Sequence, residues 1–407
     1  MSTPSLSRIQ LAIEGGRPVR DRAFAPWPHF TKDEIEAAAR VLESGKINYW
    51  TGEQGRLFER EYAESIGTKY AIAVSNGSVA LELALYAIGI GAGDEVVVTP
   101  RSFVASASCV VMRGGIPVFA DVDRNSQNLS TDNIAKVLSS RTKAVVVVHH
   151  AGWPCDMDSL ISLANRRGFK IIEDCAQANG ATYKGRSVGA MGTINAFSFC
   201  QDKILSTGGE GGLVSTDDEE LWNRAWSFKD HGKSFDAVYK RDHPPGFRFV
   251  HESFGTNWRL TEVQSALGRM LLRKLSESVA CRREHASILN SRFSRIASLR
   301  VTVPPEEIGH AYYKYYVFIR PERLNANWNR DRIMQAINAE GIPCFTGSRE
   351  IYLEKAFPQE WKPAQALPVA QELGETALMF LVHPTLSEED MLDMCRAVEK
   401  VMEEATR

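Results

Sequence analysis

Short apolar runs, rich in β-branched residues, alternate with helix-like segments through the first half of the chain. The apolar runs predict strands at the following positions: 70–75, 95–100, 116–122, 143–150, 170–176 and 211–217. Apolar residues at helical spacing predict helices between them: 78–88, 103–113, 131–139 and 156–167. Because the strands are apolar on both faces and alternate with helices, they predict a mostly parallel sheet that helices cover on both sides.

The two ends of the chain carry different patterns. The N-terminal residues are irregular and contain several glycines and prolines, and Thr31 then caps a predicted helix. One long helix is predicted over 261–293, where apolar residues recur at helical spacing without an internal proline. The rest predicts an α+β unit with a strand at 312–321 and helices at 327–339, 364–380 and 387–403. The predicted units are an arm (1–30), a large domain (31–270) and a small C-terminal domain (271–407) that the long helix connects.

Composition and charge narrow the class of protein. The 407 residues are 44% hydrophobic and 24% charged, which is ordinary for a globular protein and excludes disorder or a coiled coil. The net charge of −2 gives no electrostatic reason to expect nucleic acid or a membrane as a partner. The 7 cysteines form no CxxC pair, so no metal site is predicted, and their sparse number indicates a reducing compartment. Because the N-terminus lacks a signal-like apolar core and no apolar run reaches about 20 residues, we expect a cytoplasmic enzyme.

Polar segments follow several predicted strands, where ligands bind in sheets of this kind. The first segment, SNGSVALELAL (75–85), joins a strand to a helix through Gly77 and Ser78. Glycine lets the backbone approach an anion, and the amides of a helix start attract phosphate. Such turns are also common without any ligand, so this segment alone leaves a structural explanation open.

Two further segments carry a carboxylate and a lysine. The segment EDCAQANGA (173–181) places Asp174 at the end of a buried strand, where it either caps the next turn or pairs with a cationic ring nitrogen. The segment AFSFCQDKILSTGGEGGLVST (196–216) places Lys203 in a glycine-rich loop beside Ser198, at the same predicted sheet edge. Most lysines are solvated surface charges, but a desolvated lysine amine can form a Schiff base.

The last segment, SFGTNWRLTEVQSALG (253–268), carries Asn257 and Arg259 and also fits the N-cap region of a helix.

A phosphate-binding turn, a carboxylate for a ring nitrogen and a Schiff-base lysine are together what a pyridoxal phosphate (PLP) enzyme requires. The lysine holds the aldehyde and later moves a proton, and the carboxylate keeps the ring nitrogen protonated. The combination therefore predicts PLP as the cofactor.

The order of these motifs resembles the DegT/StrS family of sugar aminotransferases, which share the type I fold of aspartate aminotransferase. The resemblance runs from GKINYWTGEQGRLFE (45–59) to the closing helices and includes NGS, SFVA, EDCAQANGA, FSF, GGEGG and GTNWR. It implies an α/β large domain with a mostly parallel mixed sheet flanked by helices, and a smaller α+β C-terminal domain. It also implies a PLP-dependent transaminase that moves an amino group from an amino acid, glutamate in the family, to a keto group of a nucleotide-linked deoxysugar. Family members form homodimers with shared active sites.

The resemblance also implies roles for individual residues. Lys203 matches the Schiff-base lysine, and Asp174 matches the partner of the ring nitrogen. The other matches are Gln177 for the ring hydroxyl, Gly77, Ser78 and Ser198 for the phosphate, Phe103 for stacking on the ring, Asn257 for the phosphate of the neighbouring subunit, and Arg259 and Cys200 for the substrate. Cys200 stands where the family often has an aromatic residue or a histidine, and the segment KYY (314–316) stands where it often has a histidine. Both departures leave the identity of the acceptor open.

Two alternative functions remain on the sequence alone. The acceptor could be a keto-cyclitol, or the chain could be a non-catalytic regulatory protein, because a fold does not fix a function. The presence of both Lys203 and Asp174 argues against a non-catalytic protein. Related sugar dehydrases have histidine at the lysine position, so Lys203 favours amine transfer.

Overall fold

The computed structural model describes residues 10–406, and a seven-stranded sheet lies at their centre. The strands are β1 (Tyr70–Val74), β2 (Glu95–Val98), β3 (Ile116–Phe119), β4 (Thr142–Val148), β5 (Lys170–Asp174), β6 (Thr182–Tyr183), β7 (Arg186–Ser187), β8 (Ile194–Ser198), β9 (Gly212–Thr216), β10 (Leu299–Val301), β11 (Ile308–Gly309), β12 (Tyr315–Ile319) and β13 (Ala377–Phe380). The helices are α1 (Lys32–Glu43), α2 (Gln54–Ile66), α3 (Gly77–Ala87), α4 (Ala105–Met112), α5 (Thr131–Ala135), α6 (Met157–Arg167), α7 (Glu219–Lys229), α8 (Phe235–Tyr239), α9 (Glu262–Arg273), α10 (Leu275–Phe293), α11 (Arg330–Ala339), α12 (Pro368–Thr376) and α13 (Glu388–Ala405). Residues 1–9 of the expected arm lie outside the described residues.

The central sheet has the order β1-β9-β8-β5-β4-β2-β3. Strand β9 runs antiparallel to both of its neighbours, and the other strands run in one direction. Every strand predicted from the apolar runs belongs to this sheet. Strand β8, which the sequence suggested only as a strand-like run before Lys203, belongs to it as well. The prediction of an α/β fold with a mostly parallel mixed sheet is therefore confirmed.

Side chains on successive positions of β2 face two different hydrophobic cores. Val96 and Val98 pack in a core that includes α3 and α4, whereas Val97 packs in a second core that includes α6. All three side chains have no solvent-exposed surface. This arrangement explains why three consecutive positions of the strand, 96–98, are apolar, since helices cover both faces of the sheet.

The predicted helix over 261–293 differs from the structure, which divides it at Lys274 into α9 and α10. Lys274 has φ −96° and ψ 0°, which interrupts the regular helical geometry. Helix α9 packs against α1 and α2, whereas α10 packs against α13. The apolar spacing continues through both helices, so the pattern predicted their lengths together but not the change of packing partner.

The C-terminal part is an α+β unit, in which β10, β12 and β13 form an antiparallel sheet. Leu289 and Phe293 of α10 pack with Val317 of β12 and Val398 of α13 in its core.

The helix predicted near 364–380 is wrong at its end, because α12 stops before β13 begins. Pairing with β12 favours the extended conformation there over the local helical pattern. The domain limits at residues 30 and 270 remain a prediction.

The structure also contains helices that the sequence pattern missed, including α2 and α7. In residues 10–406, no helix is both long enough and apolar enough to cross a lipid bilayer.

Candidate active site

The start of α3 lies at the carboxyl end of β1 and forms one side of the candidate site. Asn76 caps the helix by accepting a hydrogen bond from the Val79 amide at 3.0 Å. Gly77 lies so close to Ser198, at the end of β8, that a Cβ added to Gly77 would be 2.5 Å from the Ser198 Cβ. Ser78 follows at the exposed first turn, where helix amides have no acceptor within the helix. This close approach of backbone and hydroxyl groups suits an anion such as phosphate.

Asp174 is the last residue of β5 and is only 3% exposed. Its Oδ2 accepts a hydrogen bond from Ser106 Oγ at 2.7 Å, and its Oδ1 accepts one from the Ala176 amide at 3.1 Å. Burial raises the pKa of Asp174 above its usual value, although these hydrogen bonds and the charge of Lys203 oppose the rise. Within residues 10–406, no basic side chain lies within ion-pair distance of Asp174. A buried carboxylate in this state is stabilised by an added cation, such as a protonated ring nitrogen.

Phe103 lies in the loop between β2 and α4 and is 69% exposed. The Ser102 and Ser106 hydroxyl oxygens are 2.9 Å apart, so this loop is linked through Ser106 to Asp174. An exposed aromatic ring on a loop that is linked to a buried carboxylate offers a flat surface on which a planar ligand can stack. Gln177 follows β5 in a turn, and its side-chain oxygen accepts a hydrogen bond from the Ala151 amide at 2.8 Å.

Lys203 lies in the turn after β8, with a side chain that is 15% exposed. Its Nζ donates a hydrogen bond to the Tyr313 hydroxyl at 3.3 Å and lies 3.5 Å from Asp202 Oδ1. The Tyr313 hydroxyl donates in turn to the Asp202 carboxylate. Burial and the Asp202 charge raise the pKa of Tyr313, so its hydroxyl keeps its proton. The Trp27 Nε1–H donates to the Lys203 carbonyl oxygen at 3.0 Å and fixes the backbone of the turn.

Burial disfavours ionisation of Asp202, but the Lys203 charge and the hydrogen bond from Tyr313 outweigh it and lower the pKa of this carboxyl. Asp202 therefore stays ionised and holds both the Tyr313 hydroxyl and the Lys203 amine.

The sequence analysis did not identify Tyr313, Asp202, Trp27 or Ser106 as site residues. Asp202 was detectable as the neighbour of Lys203, whereas nothing in the local sequence marks Trp27.

Asn257 and Arg259 lie on a segment that runs antiparallel to the end of β1. The Ser75 amide donates to the Trp258 carbonyl oxygen at 2.9 Å, which holds this segment next to the start of α3. The Asn257 side chain is exposed. The Arg259 guanidinium forms an ion pair of 2.7 Å with Asp230, which is buried, so its charge already has a partner within the chain.

Cys200 precedes Lys203 in the same turn and is partly buried as a free thiol. Its carbonyl oxygen accepts a hydrogen bond from the Lys203 amide at 3.0 Å, and its amide lies 3.4 Å from Ser198 Oγ. Cys200 is thus positioned between the proposed phosphate ligand and the lysine.

His149, Glu173 and Cys175 lie together next to Asp174 and have the donor atoms of a metal site. Both ring nitrogens of His149 are already used, because Nδ1 accepts from the Cys155 amide at 3.0 Å and Nε2 lies 2.9 Å from Glu173 Oε2. Glu173 also accepts hydrogen bonds from three backbone amides. These bonds account for the buried carboxylate without a metal ion.

The residues present fit PLP. A cradle for an anion, a buried carboxylate without an ion-pair partner, an exposed aromatic ring and a partly buried lysine lie along the carboxyl ends of neighbouring strands. Solved structures that are similar to the chain include aminotransferases.

The sequence matches the DegT/DnrJ/EryC1/StrS aminotransferase family over residues 28–399. The aminotransferase of known structure from Psychrobacter cryohalolentis is 52% identical, with a TM-score of 0.93 over 94% of this chain and 100% of that one. GDP-perosamine synthase from Escherichia coli O157:H7 is 31% identical over 92% of this chain and 96% of its own length. L-glutamine:2-deoxy-scyllo-inosose aminotransferase from Streptoalloteichus tenebrarius is 32% identical over 97% of this chain and 98% of its own length. The chain belongs to the DegT/DnrJ/EryC1/StrS aminotransferase family.

Proposed function

We propose that the protein is a PLP-dependent aminotransferase that moves an amino group from glutamate to a keto group of a nucleotide-linked deoxysugar. The observation that carries this proposal is that the partly buried Lys203 and the buried carboxylate of Asp174 follow strands β8 and β5, which are neighbours in the sheet. The relative named GDP-perosamine synthase supports a nucleotide-linked acceptor.

PLP would be held by residues from several elements of the large sheet. These are Gly77, Ser78 and Ser198 at the phosphate, Asp174 at the ring nitrogen, Gln177 at the ring hydroxyl, Phe103 at the ring face and Lys203 at the aldehyde. When bound, PLP supplies an electron sink for the bond that breaks at the α-carbon of the amino acid.

The residues of the chain divide the remaining work. The Lys203 amine takes the proton from the α-carbon of the donor, since it is the base at this edge of the sheet. Tyr313 and Asp202 position that amine through the hydrogen bond at Nζ and the nearby carboxylate. Asp174 holds a proton at the ring nitrogen, because an adjacent carboxylate favours the cationic form of the ring.

A keto-cyclitol acceptor is the second candidate. The relative named L-glutamine:2-deoxy-scyllo-inosose aminotransferase covers nearly the whole chain at an identity similar to that of GDP-perosamine synthase. The two relatives are 31% and 32% identical to this chain, so overall similarity does not select one acceptor over the other.

The test is to convert the purified protein to its pyridoxamine form and to mix it with nucleotide-linked keto-deoxysugars and with keto-cyclitols. We expect the absorbance of the pyridoxamine form to decay fully within one turnover when a nucleotide-linked ketone is added. Decay with cyclitol ketones alone would select the second candidate. Binding of PLP without decay in the presence of any ketone or amino acid would support the non-catalytic alternative.

We also propose that the protein is a homodimer in which Asn257 completes the cofactor site of the partner subunit. Its exposed side chain supports this, and so does the position of its segment beside the start of α3. In a two-fold dimer, each subunit would place this segment against the other in the same way. If Asn257 instead acts within its own chain, each active site is complete in a single subunit.

Mixing subunits of Lys203→Ala and Asn257→Trp distinguishes these arrangements. A mixed dimer with shared sites has one pocket that contains both native residues, so random exchange should restore about a quarter of the wild-type activity. Lys203→Ala mixed with Asp174→Asn is the matched control. Each of these changes impairs the pocket of the subunit that carries it, so neither pocket of a mixed dimer is intact and the pair should not complement. A mixture of the first pair that stays as inactive as its parents after verified subunit exchange would contradict the shared site.

A further inference from the structure

A second lysine lies beside the ring that contacts Lys203. The Nζ atoms of Lys203 and Lys314 are each 4.8 Å from the centroid of the Tyr313 ring. Lys314 is partly buried, and among residues 10–406 no hydrogen-bond acceptor or carboxylate is bonded to its ammonium group. Two ammonium groups therefore share one aromatic neighbour, and only that of Lys203 has a polar partner.

A buried guanidinium adds a third cation to this cluster. Arg282 is 1% exposed, and its Nη1 lies 3.4 Å from the Tyr312 and Tyr313 carbonyl oxygens. Its Nε and Nη2 atoms have no hydrogen-bond partner among the described residues. Burial lowers the pKa of Arg282 to about 10, which still leaves it charged at neutral pH. A buried guanidinium with free donors is costly unless an anion approaches it.

The negative charge facing this cluster comes from Asp202, which already holds Tyr313 and Lys203. His383 is stacked on Trp27 and brings no balancing charge. Burial and the nearby charges of Arg282 and Lys314 lower the pKa of His383 to about 3, so it is neutral. Burial, together with the charges of Arg282 and Lys203, lowers the pKa of Lys314 to about 8 against the opposing effect of Asp202. The cluster therefore carries more positive than negative charge.

We propose that Lys314, together with the charge of Arg282, binds a carboxylate of a substrate beside the Lys203 amine. This inference rests on the proposed function, because that function brings a carboxylate to this place. An ammonium and a guanidinium are the groups that bind carboxylates through charge-assisted hydrogen bonds. The start of α3 already provides a separate place for the cofactor phosphate.

Two substrates could supply the carboxylate. The amino-acid donor carries one on the α-carbon whose proton Lys203 moves, so its carboxylate comes close to Lys203 in the first half-reaction. An acceptor sugar with a carboxylate group would bring it in the second half-reaction. The same cations serve both, and measuring the two half-reactions separately distinguishes the sources.

The test compares Lys314→Met and Lys314→Arg with the wild-type protein carrying its cofactor. Glutarate, which has no amino group and cannot react, measures carboxylate binding by calorimetry. We expect Lys314→Met to bind glutarate about 10- to 100-fold more weakly, because a charged hydrogen bond is lost, and Lys314→Arg to bind it nearly as well as the wild type. The apparent dissociation constant for glutamate in the single-turnover first half-reaction should change in the same way.

Lys184→Met is the matched control. Lys184 also lies over the ring of the preceding tyrosine, with its Nζ 5.1 Å from the centroid of Tyr183, but it is exposed and pairs with Asp158. Its replacement should leave glutarate binding unchanged. Lys314→Gln serves as a second neutral variant, and circular dichroism verifies that each variant is folded.

The outcomes separate the inference from the proposed function. Weaker binding of acceptor alone, with donor and glutarate binding unchanged, would keep the carboxylate site and assign it to the acceptor. Unchanged binding of donor, glutarate and acceptor in both neutral variants would overturn the inference. A wild-type protein that binds glutarate through Lys314 but transfers no amine to any ketone would refute the proposed function and leave the carboxylate site intact.

Discussion

Replacement of Lys203 by alanine is expected to lower amine transfer by about four orders of magnitude, the upper end of what one positioned proton-transfer group contributes. The variant loses both the amine that moves the α-proton and the attachment point for the cofactor aldehyde. The fold should persist, since within residues 10–406 the polar partners of the side chain are Tyr313 and Asp202 alone. Turnover with glutamate measures the loss, and borohydride reduction followed by peptide mapping should find the cofactor on the peptide that contains Lys203.

The trapping experiment also distinguishes Lys203 from other lysines that could carry the cofactor. Lys229 has no exposed surface, and its Nζ has no hydrogen-bond partner among the described residues. Burial lowers the pKa of Lys229, which makes it a second candidate for a reactive amine. We expect Lys184→Ala, an exposed control, to retain full activity and trapping. Cofactor trapped on Lys229 or Lys314 in the wild-type protein would refute the assignment of Lys203.

The parts of the site that lie at strand ends could be predicted from the sequence. Asp174 lies at the end of the strand-like run KIIEDCA (170–176), and a carboxylate there stands out because it is costly to bury. Gly77 and Lys203 lie in turns whose glycines interrupt otherwise regular patterns. Each of these signals is local, since strand, turn and polar residue are consecutive in the chain. The parallel topology then brings their ends to one edge.

The partners of Lys203 could not be predicted in this way. Tyr313 and Trp27 are 110 and 176 positions away from it in the sequence, and no local pattern links them. Tyr313 belongs to a run of aromatic residues that reads as a buried strand, so its hydroxyl is not distinguishable as a site group. For Arg259, the motif suggests a substrate contact, but the sequence does not predict the ion pair that this residue forms with Asp230.

The break between α9 and α10 has a similar explanation. The hydrophobic pattern records which face of a helix is buried, but it does not record against which surface. Helix α9 packs against α1 and α2, and α10 packs against α13, so the packing partner changes at Lys274 although both helices bury apolar faces. The strand β13 likewise depends on its partner β12, which is more than 50 residues earlier in the chain.

Replacement of Asp174 by asparagine is expected to lower the rate about 10²- to 10³-fold, similar to the loss of one preorganised electrostatic partner in other active sites. Asparagine has nearly the same shape, and its side-chain oxygen can still accept from the Ala176 amide. It has no charge with which to favour a proton at the ring nitrogen. The same change in the cofactor-free protein should not destabilise the fold, because it removes a buried carboxylate that has no ion-pair partner among the described residues.

The pH dependence of stability gives this prediction a second measurement. Burial raises the pKa of Asp174 in the folded chain above its usual value of 3.8, so the folded state binds more protons than the unfolded state as the pH rises above 3.8. The contribution of Asp174 to stability is therefore fully present below that pH and decreases as the pH rises toward the folded-state pKa. We expect cofactor-free Asp174→Asn to be at least as stable as the wild type at pH 7 by urea denaturation, with the difference disappearing below pH 3.8. Asp174→Asn that is less stable without cofactor and equally fast with it would show that Asp174 supports the fold rather than the reaction.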